Sequence, residues 1–382
     1  MIPYGRQDIL DDDIEAVVAV LRSDYLTQGP AVPRFEAAVA RAADVPHAVA
    51  CNSATSALHL ACMALDLGPG DLLWTSPITF VASANCARYC GADVDFVDID
   101  PQTANMCPDR LAEKLAAAKA AGRLPKIIVP VHLAGLSCDM ARIGALARDY
   151  GVRVIEDASH AIGGRYHGVP VGACSHSDIT VFSFHPVKIV TSGEGGAAVT
   201  RDDALAARME RLRSHGITRD PGLMTHDPDG PWYYQQLELG WNYRLTDIQA
   251  ALGASQMTRL TDYVAARNRL ADRYDAELGE LPIGLAGRAE DCLSAFHLYV
   301  IRVVQERHRS VFEGLRARGI GVNLHYIPVH LQPYYRAMGF AEGDFPAAEQ
   351  YYREAISIPL FPTMTQAMQD DVIAAIRSEI AD

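Results

Sequence analysis

Between residues 47 and 200 the chain repeats one rhythm, a short apolar run followed by a longer stretch whose apolar positions recur at helical spacing. "HAVAC" leads into "SATSALHLACMAL", "LLWTS" into "FVASANCARYC", "DVDFVDI" into "DRLAEKLAAAKAA" and "KIIVPV" into "MARIGALARDY", after which comes "VRVIEDA". Parallel neighbours in a sheet need a crossover, usually a helix, so this alternation predicts an α/β fold around a mainly parallel sheet. "DITVFSF" and "GGAAVTR" read as two further strands, separated by a loop that carries Lys188.

The pattern then changes. One long helical pattern runs from about Thr246 to Leu278, and "HLYVIRV", "RSVFEGLRARG", "IGVNLHY" and a last helix near 365–380 predict a smaller α+β unit. We expect a large unit over 1–250 and a small one over 251–382. No repeat, low-complexity tract or Ser/Gly linker separates them, so they should dock closely. A helix over 11–22 is expected to pack with the smaller unit or with a partner chain.

A net charge of −13 repels nucleic acid and anionic membrane, and no basic run offsets it. No stretch approaches the ~18 apolar residues that cross a bilayer, and "MIPYGRQDILDDD" is not a leader sequence. A cytoplasmic location is therefore expected, with no nucleic-acid or membrane partner. The eight cysteines are scattered without a C-x-x-C pair, which suits reduced, buried thiols. Cys86 and Cys90 share a helix face, where packing is the expected role.

Three positions carry chemistry. Lys188 lies between a run that reads as a buried strand and the glycines of "SGEGG". A lysine in a partly dry pocket has a lowered pKa, which frees the amine for attack on carbonyls. Asp157 ends "VRVIED", and in open α/β sheets ligands sit beyond such carboxyl ends; taken alone, it is equally compatible with a helix cap. Ser53, Thr55 and Ser56 stand where a strand gives way to a helix, a place suited to phosphate and also to an ordinary N-cap. Amine, carboxylate and hydroxyl-rich helix start match the aldehyde, ring nitrogen and phosphate of pyridoxal phosphate. "GEGGAA" opens no helix, so a dinucleotide site is set aside.

Taken together, "YLTQGPAVPRFE", "NSATSALHLA", "SPITFVASANC", "VIEDASHAIGG", "FSFHPVKIVTSGEGG" and "GWNYRLTDIQAALG" resemble the DegT/DnrJ/EryC1/StrS group of pyridoxal-phosphate sugar aminotransferases over essentially the whole chain. The resemblance implies an aspartate-aminotransferase-like, type I fold with a mixed, mainly parallel seven-stranded sheet. It implies that Lys188 forms the Schiff base with pyridoxal 5'-phosphate and moves the reaction's proton, with pyridoxamine phosphate between two half-reactions. Asp157 would pair with the pyridinium nitrogen, His160 would lie near the phenolic oxygen, and Phe80 would cover the ring. Ala54, Thr55 and Ser183 would hold the phosphate, with Asn242 reaching in from the second subunit of a homodimer. Tyr4, Leu26, Thr27, His325 and Tyr326 would line the pocket for a UDP-linked keto sugar, with L-glutamate as donor. Arg6 and His330 are plausible neighbours, and an arginine is expected near the pyrophosphate. Alternatives within the group are other nucleotide-linked 3- or 4-keto sugars, and outside it a non-catalytic ligand-binding relative.

Overall fold

The computed structural model describes residues 1–381. A seven-stranded sheet forms its centre, built from β1 (His47–Cys51), β2 (Leu72–Thr75), β3 (Asp93–Phe96), β4 (Ile127–Val129), β5 (Arg153–Asp157), β6 (Ile179–Ser183) and β7 (Gly196–Thr200). Its order is β1-β7-β6-β5-β4-β2-β3. β7 pairs antiparallel with both β1 and β6, while the pairs among β6, β5, β4, β2 and β3 are parallel. The strands are almost continuously apolar because helices cover both faces, as a parallel sheet requires. One core lies on the side of "SALHLACMAL" and a second, around Phe35, Phe182 and Phe184, on the other.

The helices are α1 (Asp11–Leu21), α2 (Ala31–Ala43), α3 (Ala54–Ala64), α4 (Ala82–Tyr89), α5 (Pro108–Ala120), α6 (Met140–Tyr150), α7 (Asp203–Arg213), α8 (Asp247–Met257) and α9 (Leu260–Leu278). The helical pattern expected from Thr246 to Leu278 is thus two helices. At the break, Thr258 Oγ1 donates to the Ser255 carbonyl at 2.6 Å, and Arg259 turns to pair with Asp13 at 2.6 Å. Asp13 is fully buried and also accepts from Gln256 at 2.7 Å, so a long-range ion pair, invisible to local periodicity, sits at the break. Those contacts place α1 on α8.

Beyond α9, the strands β8 (Tyr299–Arg302) and β9 (Ala355–Ile358) pair antiparallel, with α10 (Gln305–Ala317), α11 (Pro346–Glu354) and α12 (Gln366–Ala381) around them. Their core includes Tyr274, Tyr299, Val311, Leu315, Ile356 and Ile376. α9 joins both regions: Leu260, Tyr263 and Val264 belong to the core behind the large sheet, and Ala271, Tyr274 and Leu278 to the C-terminal one. The extended N-terminal residues also tie in here, through Ile2 N to Gly319 O at 2.8 Å and Leu360 N to Tyr4 O at 3.0 Å. No helix among the described residues is long and apolar enough to cross a membrane.

Candidate active site

A cavity of about 810 Å³ opens at the carboxyl ends of β1, β5 and β6, where residues leaving the sheet converge. Lys188, Asp157, His160, Ser183, Ala54, Thr55, Phe80, Tyr4, His325 and Tyr326 all line it. With Ser53 and Ser56, which line it too, the chain brings together twelve of the residues singled out in the sequence.

Lys188 sits in the loop between β6 and β7. Ile189 and Val190, immediately after it, are buried in the core, and Phe184 N bonds Gly195 O at 2.9 Å to close the loop behind them. The loop turns at Gly193, whose φ of +83° suits glycine. Lys188 itself is half-buried along the cavity wall, and no carboxylate among the described residues pairs with its amine within 4.0 Å. Burial pushes its ammonium down to about 8, against an attraction from Asp157.

That shift has a thermodynamic sign. An unfolded lysine titrates near 10.5, so between about 8 and 10.5 the unfolded chain binds more protons at this position. This group's share of stability therefore rises with pH across that window. The melting temperature of cofactor-free protein should climb more between those pH values than that of Lys188→Met, which cannot titrate. Equal slopes would remove Lys188 from a dry pocket.

Asp157, the last residue of β5, is 5% exposed and accepts from Ser83 Oγ at 2.6 Å and from Ser159 N at 3.1 Å. It caps no helix; its carboxylate is aimed into the cavity. His160 accepts at Nδ1 from Ala134 N at 3.2 Å, which leaves the proton on Nε2, 3.1 Å from the Tyr326 hydroxyl. Burial, then the Lys188 and His325 charges, hold His160 well below an ordinary histidine, so its ring is neutral. His325 is held down to about 4 chiefly by burial, and its Nδ1 meets Ser357 Oγ at 2.8 Å.

At the start of α3, Ser53 accepts from Ser56 N at 3.1 Å. That cap serves Ser56 and leaves the amides of Ala54 and Thr55 to face the cavity. Ser53 is thus the cap, and the two residues after it line the cavity at a helix N-terminus, the kind of turn that suits an anion. β7 passes so close that a Cβ on Gly196 would lie 2.4 Å from Ala54 N. Gly196→Ala should therefore displace the turn, costing about 1–3 kcal/mol of stability and weakening cofactor retention; an unchanged melting temperature with full cofactor content would show the cradle to be slack.

Other expectations fall outside this cavity. Leu26 and Thr27 lie instead beside the start of α8, through Asp247 N to Leu26 O at 3.0 Å and a bridge between Thr27 and Thr246. Asn242 is exposed and meets Asn52, a cavity residue, only through its backbone carbonyl, which accepts from Asn52 Nδ2 at 3.5 Å. Arg6 is exposed. His330 is not a pocket residue: it is fully buried, pairs with Glu349 at 3.1 Å and packs on Phe345. No arginine lines the cavity among the described residues, so the arginine expected for a pyrophosphate is not supplied within this cavity. The sequence reading missed His297, whose ring lies tilted with its centroid 4.4 Å from that of His160, and Ser83 on Asp157. A histidine entering the "LYVIRV" strand was the only local sign of the first.

A depressed amine, a buried carboxylate and two free helix-start amides fit the three handles of pyridoxal phosphate, and the fold and site together define an aminotransferase that uses it. Comparison with known proteins agrees. Residues 7–377 match the DegT/DnrJ/EryC1/StrS aminotransferase family, and the chain belongs to that family. It is 38% identical to the spore coat polysaccharide biosynthesis protein SpsC of Bacillus subtilis, over 98% of this chain and 96% of that protein. The sugar aminotransferase Spr1654 of Streptococcus pneumoniae in its PMP form, itself named as putative, superposes with a TM-score of 0.91 at 30% identity, covering 100% of this chain and 99% of that one. Helicobacter pylori PseC, an aminotransferase involved in the biosynthesis of pseudoaminic acid, gives 0.90 at 30% identity with the same coverage.

Proposed function

We propose that the chain transfers an amino group from L-glutamate to C4 of a UDP-linked 4-keto-6-deoxy-N-acetylhexosamine, yielding UDP-4-amino-4,6-dideoxy-N-acetyl-β-L-altrosamine and 2-oxoglutarate in pseudaminic acid biosynthesis. The observation that carries the aminotransfer is Lys188, a half-buried amine depressed to about 8 and facing the same cavity as Asp157. The sugar rests on the full-length likeness to PseC. When bound, pyridoxal phosphate supplies a carbonyl that captures amino groups and a ring that accepts electrons.

This chain's residues supply the rest. Lys188 holds the cofactor and moves the proton between the reacting carbon and sugar C4. Asp157 pairs with the ring nitrogen, neutral His160 stands beside the phenolic oxygen, and Phe80, 58% exposed at the cavity wall, covers the ring face. The Ala54 and Thr55 amides and the Ser183 hydroxyl hold the phosphate. Tyr4, His325 and Tyr326 border the sugar.

Leu26, Thr27 and Asn242 are exposed outside the chain's own cavity, and on this reading they complete the partner's site in a homodimer. The reading places the enzyme in the cytoplasm. Incubation with glutamate and a panel of UDP- and dTDP-4-keto sugars, read by NMR, should give the altrosamine product. The higher identity to SpsC favours, as a second reading, another nucleotide-linked keto sugar, and amination of a different panel member would establish it in place of the first.

A further inference from the structure

We propose that Ser83, backed by Thr79, is a positioning residue for the reaction: it holds the Asp157 carboxylate in its orientation and locks the Phe80 loop to it. The proposal rests on the reading of Asp157 as partner of the ring nitrogen. Ser83 lies in the first turn of α4, fully buried and outside the cavity lining, so it acts through Asp157. Its Oγ is 2.6 Å from Asp157 Oδ2, and Thr79 Oγ1 is 2.7 Å from Ser83 Oγ.

The directions of these bonds follow from the chemistry. An ionised carboxylate only accepts, so the Ser83 hydroxyl donates to Asp157. With that proton committed, Thr79 is the donor to Ser83. The competing acceptor for Ser83 is the Phe80 carbonyl at 3.4 Å, too far to rival a charged oxygen at 2.6 Å. The result is a one-way chain, Thr79 to Ser83 to Asp157, buried where hydrogen bonds reinforce one another.

Its geometry serves two tasks. Asp157 Oδ2 is held by Ser83, and Oδ1 by the Ser159 amide at 3.1 Å, so donors from two different segments set the plane of the carboxylate. Thr79 immediately precedes Phe80, and Ser83 N bonds Phe80 O at 3.2 Å. The residue that would cover the ring and the residue that would hold its nitrogen are thereby built on one hydrogen-bonded unit.

The rival account makes Ser83 an ordinary buried serine with no bearing on the cofactor. Cofactor titration, steady-state kinetics and the ¹⁵N resonance of ring-labelled pyridoxal phosphate distinguish the two in wild type, Ser83→Ala, Thr79→Val, Thr79→Ser and Asp157→Asn. Losing a hydrogen bond to a charged group predicts that Ser83→Ala raises the cofactor dissociation constant roughly tenfold or more. It should lower kcat with the sugar KM unchanged, and move the ¹⁵N resonance toward that of Asp157→Asn. Thr79→Val should act in the same direction more weakly, and Thr79→Ser, which keeps the hydroxyl, should match wild type. If Ser83→Ala fails to fold, the Thr79 pair carries the same comparison. Wild-type affinity and resonance in Ser83→Ala and Thr79→Val, with Asp157→Asn altered, would overturn the Ser83 role alone. An unaltered Asp157→Asn would overturn the reading of Asp157 beneath it.

Discussion

Lys188→Ala is expected to abolish turnover while the protein still binds pyridoxal phosphate non-covalently. Two functions are lost in one change. The side chain is the only amine lining the cavity among the described residues, and burial holds it near 8, where a useful fraction is deprotonated at neutral pH. On the proposed reading it also carries the proton between the reacting carbon and the sugar. Loss of a positioned base and nucleophile together predicts a fall of roughly three orders of magnitude or more. The neighbouring histidines are poor substitutes, since burial leaves His160 and His297 well below their ordinary range and both are neutral. Borohydride treatment of the wild type, followed by peptide mapping, should fix the cofactor at position 188. Near-wild-type transamination by the alanine variant would remove Lys188 from the chemistry.

Asp157→Asn should be the next most damaging change, with cofactor still bound through the phosphate turn and Lys188. The amide keeps the shape and one acceptor oxygen but loses the charge that, on the proposed reading, stabilises a protonated ring nitrogen. The site is buried, so solvent cannot replace that charge, and a drop in kcat of about 100-fold or more is expected. The substitution also inverts a local bond: if the new NH₂ group faces Ser83 Oγ, two donors meet at 2.6 Å unless the amide flips or Ser83 reorients. Steady-state rates measured with saturating cofactor test this directly. A rate within a few-fold of wild type would leave Asp157 as a structural carboxylate only.

The strands β1 to β7 and the helices between them were legible because their periodicities are local, and each strand appears where an apolar run was read. Asp157 and Lys188 were legible for a related reason: each is a charge set against an apolar run, an arrangement costly enough to ask for a function. Residues whose roles come from a neighbour in space left no such mark. Ser83 reads as one small residue among the alanines of α4, and only β5 lying beside it brings it onto Asp157. His330 stood in the same motif as His325 and Tyr326, yet the chain turns it into an aromatic pocket against Glu349. The break between α8 and α9 is likewise not marked by local periodicity, and the ion pair that sits there joins Arg259 to Asp13, far away in the chain.

The amino-acid order by itself determined the alternating α/β architecture, the amine in its glycine-flanked loop and the carboxylate at a strand's end. These depend on backbone periodicity and on the cost of burying charge, both of which act over short stretches of chain. Tertiary structure alone decided which of the candidate residues share a cavity, which tautomer His160 adopts and which hydroxyl holds Asp157. Those outcomes depend on contacts of a few ångströms between segments that only the folded sheet brings side by side.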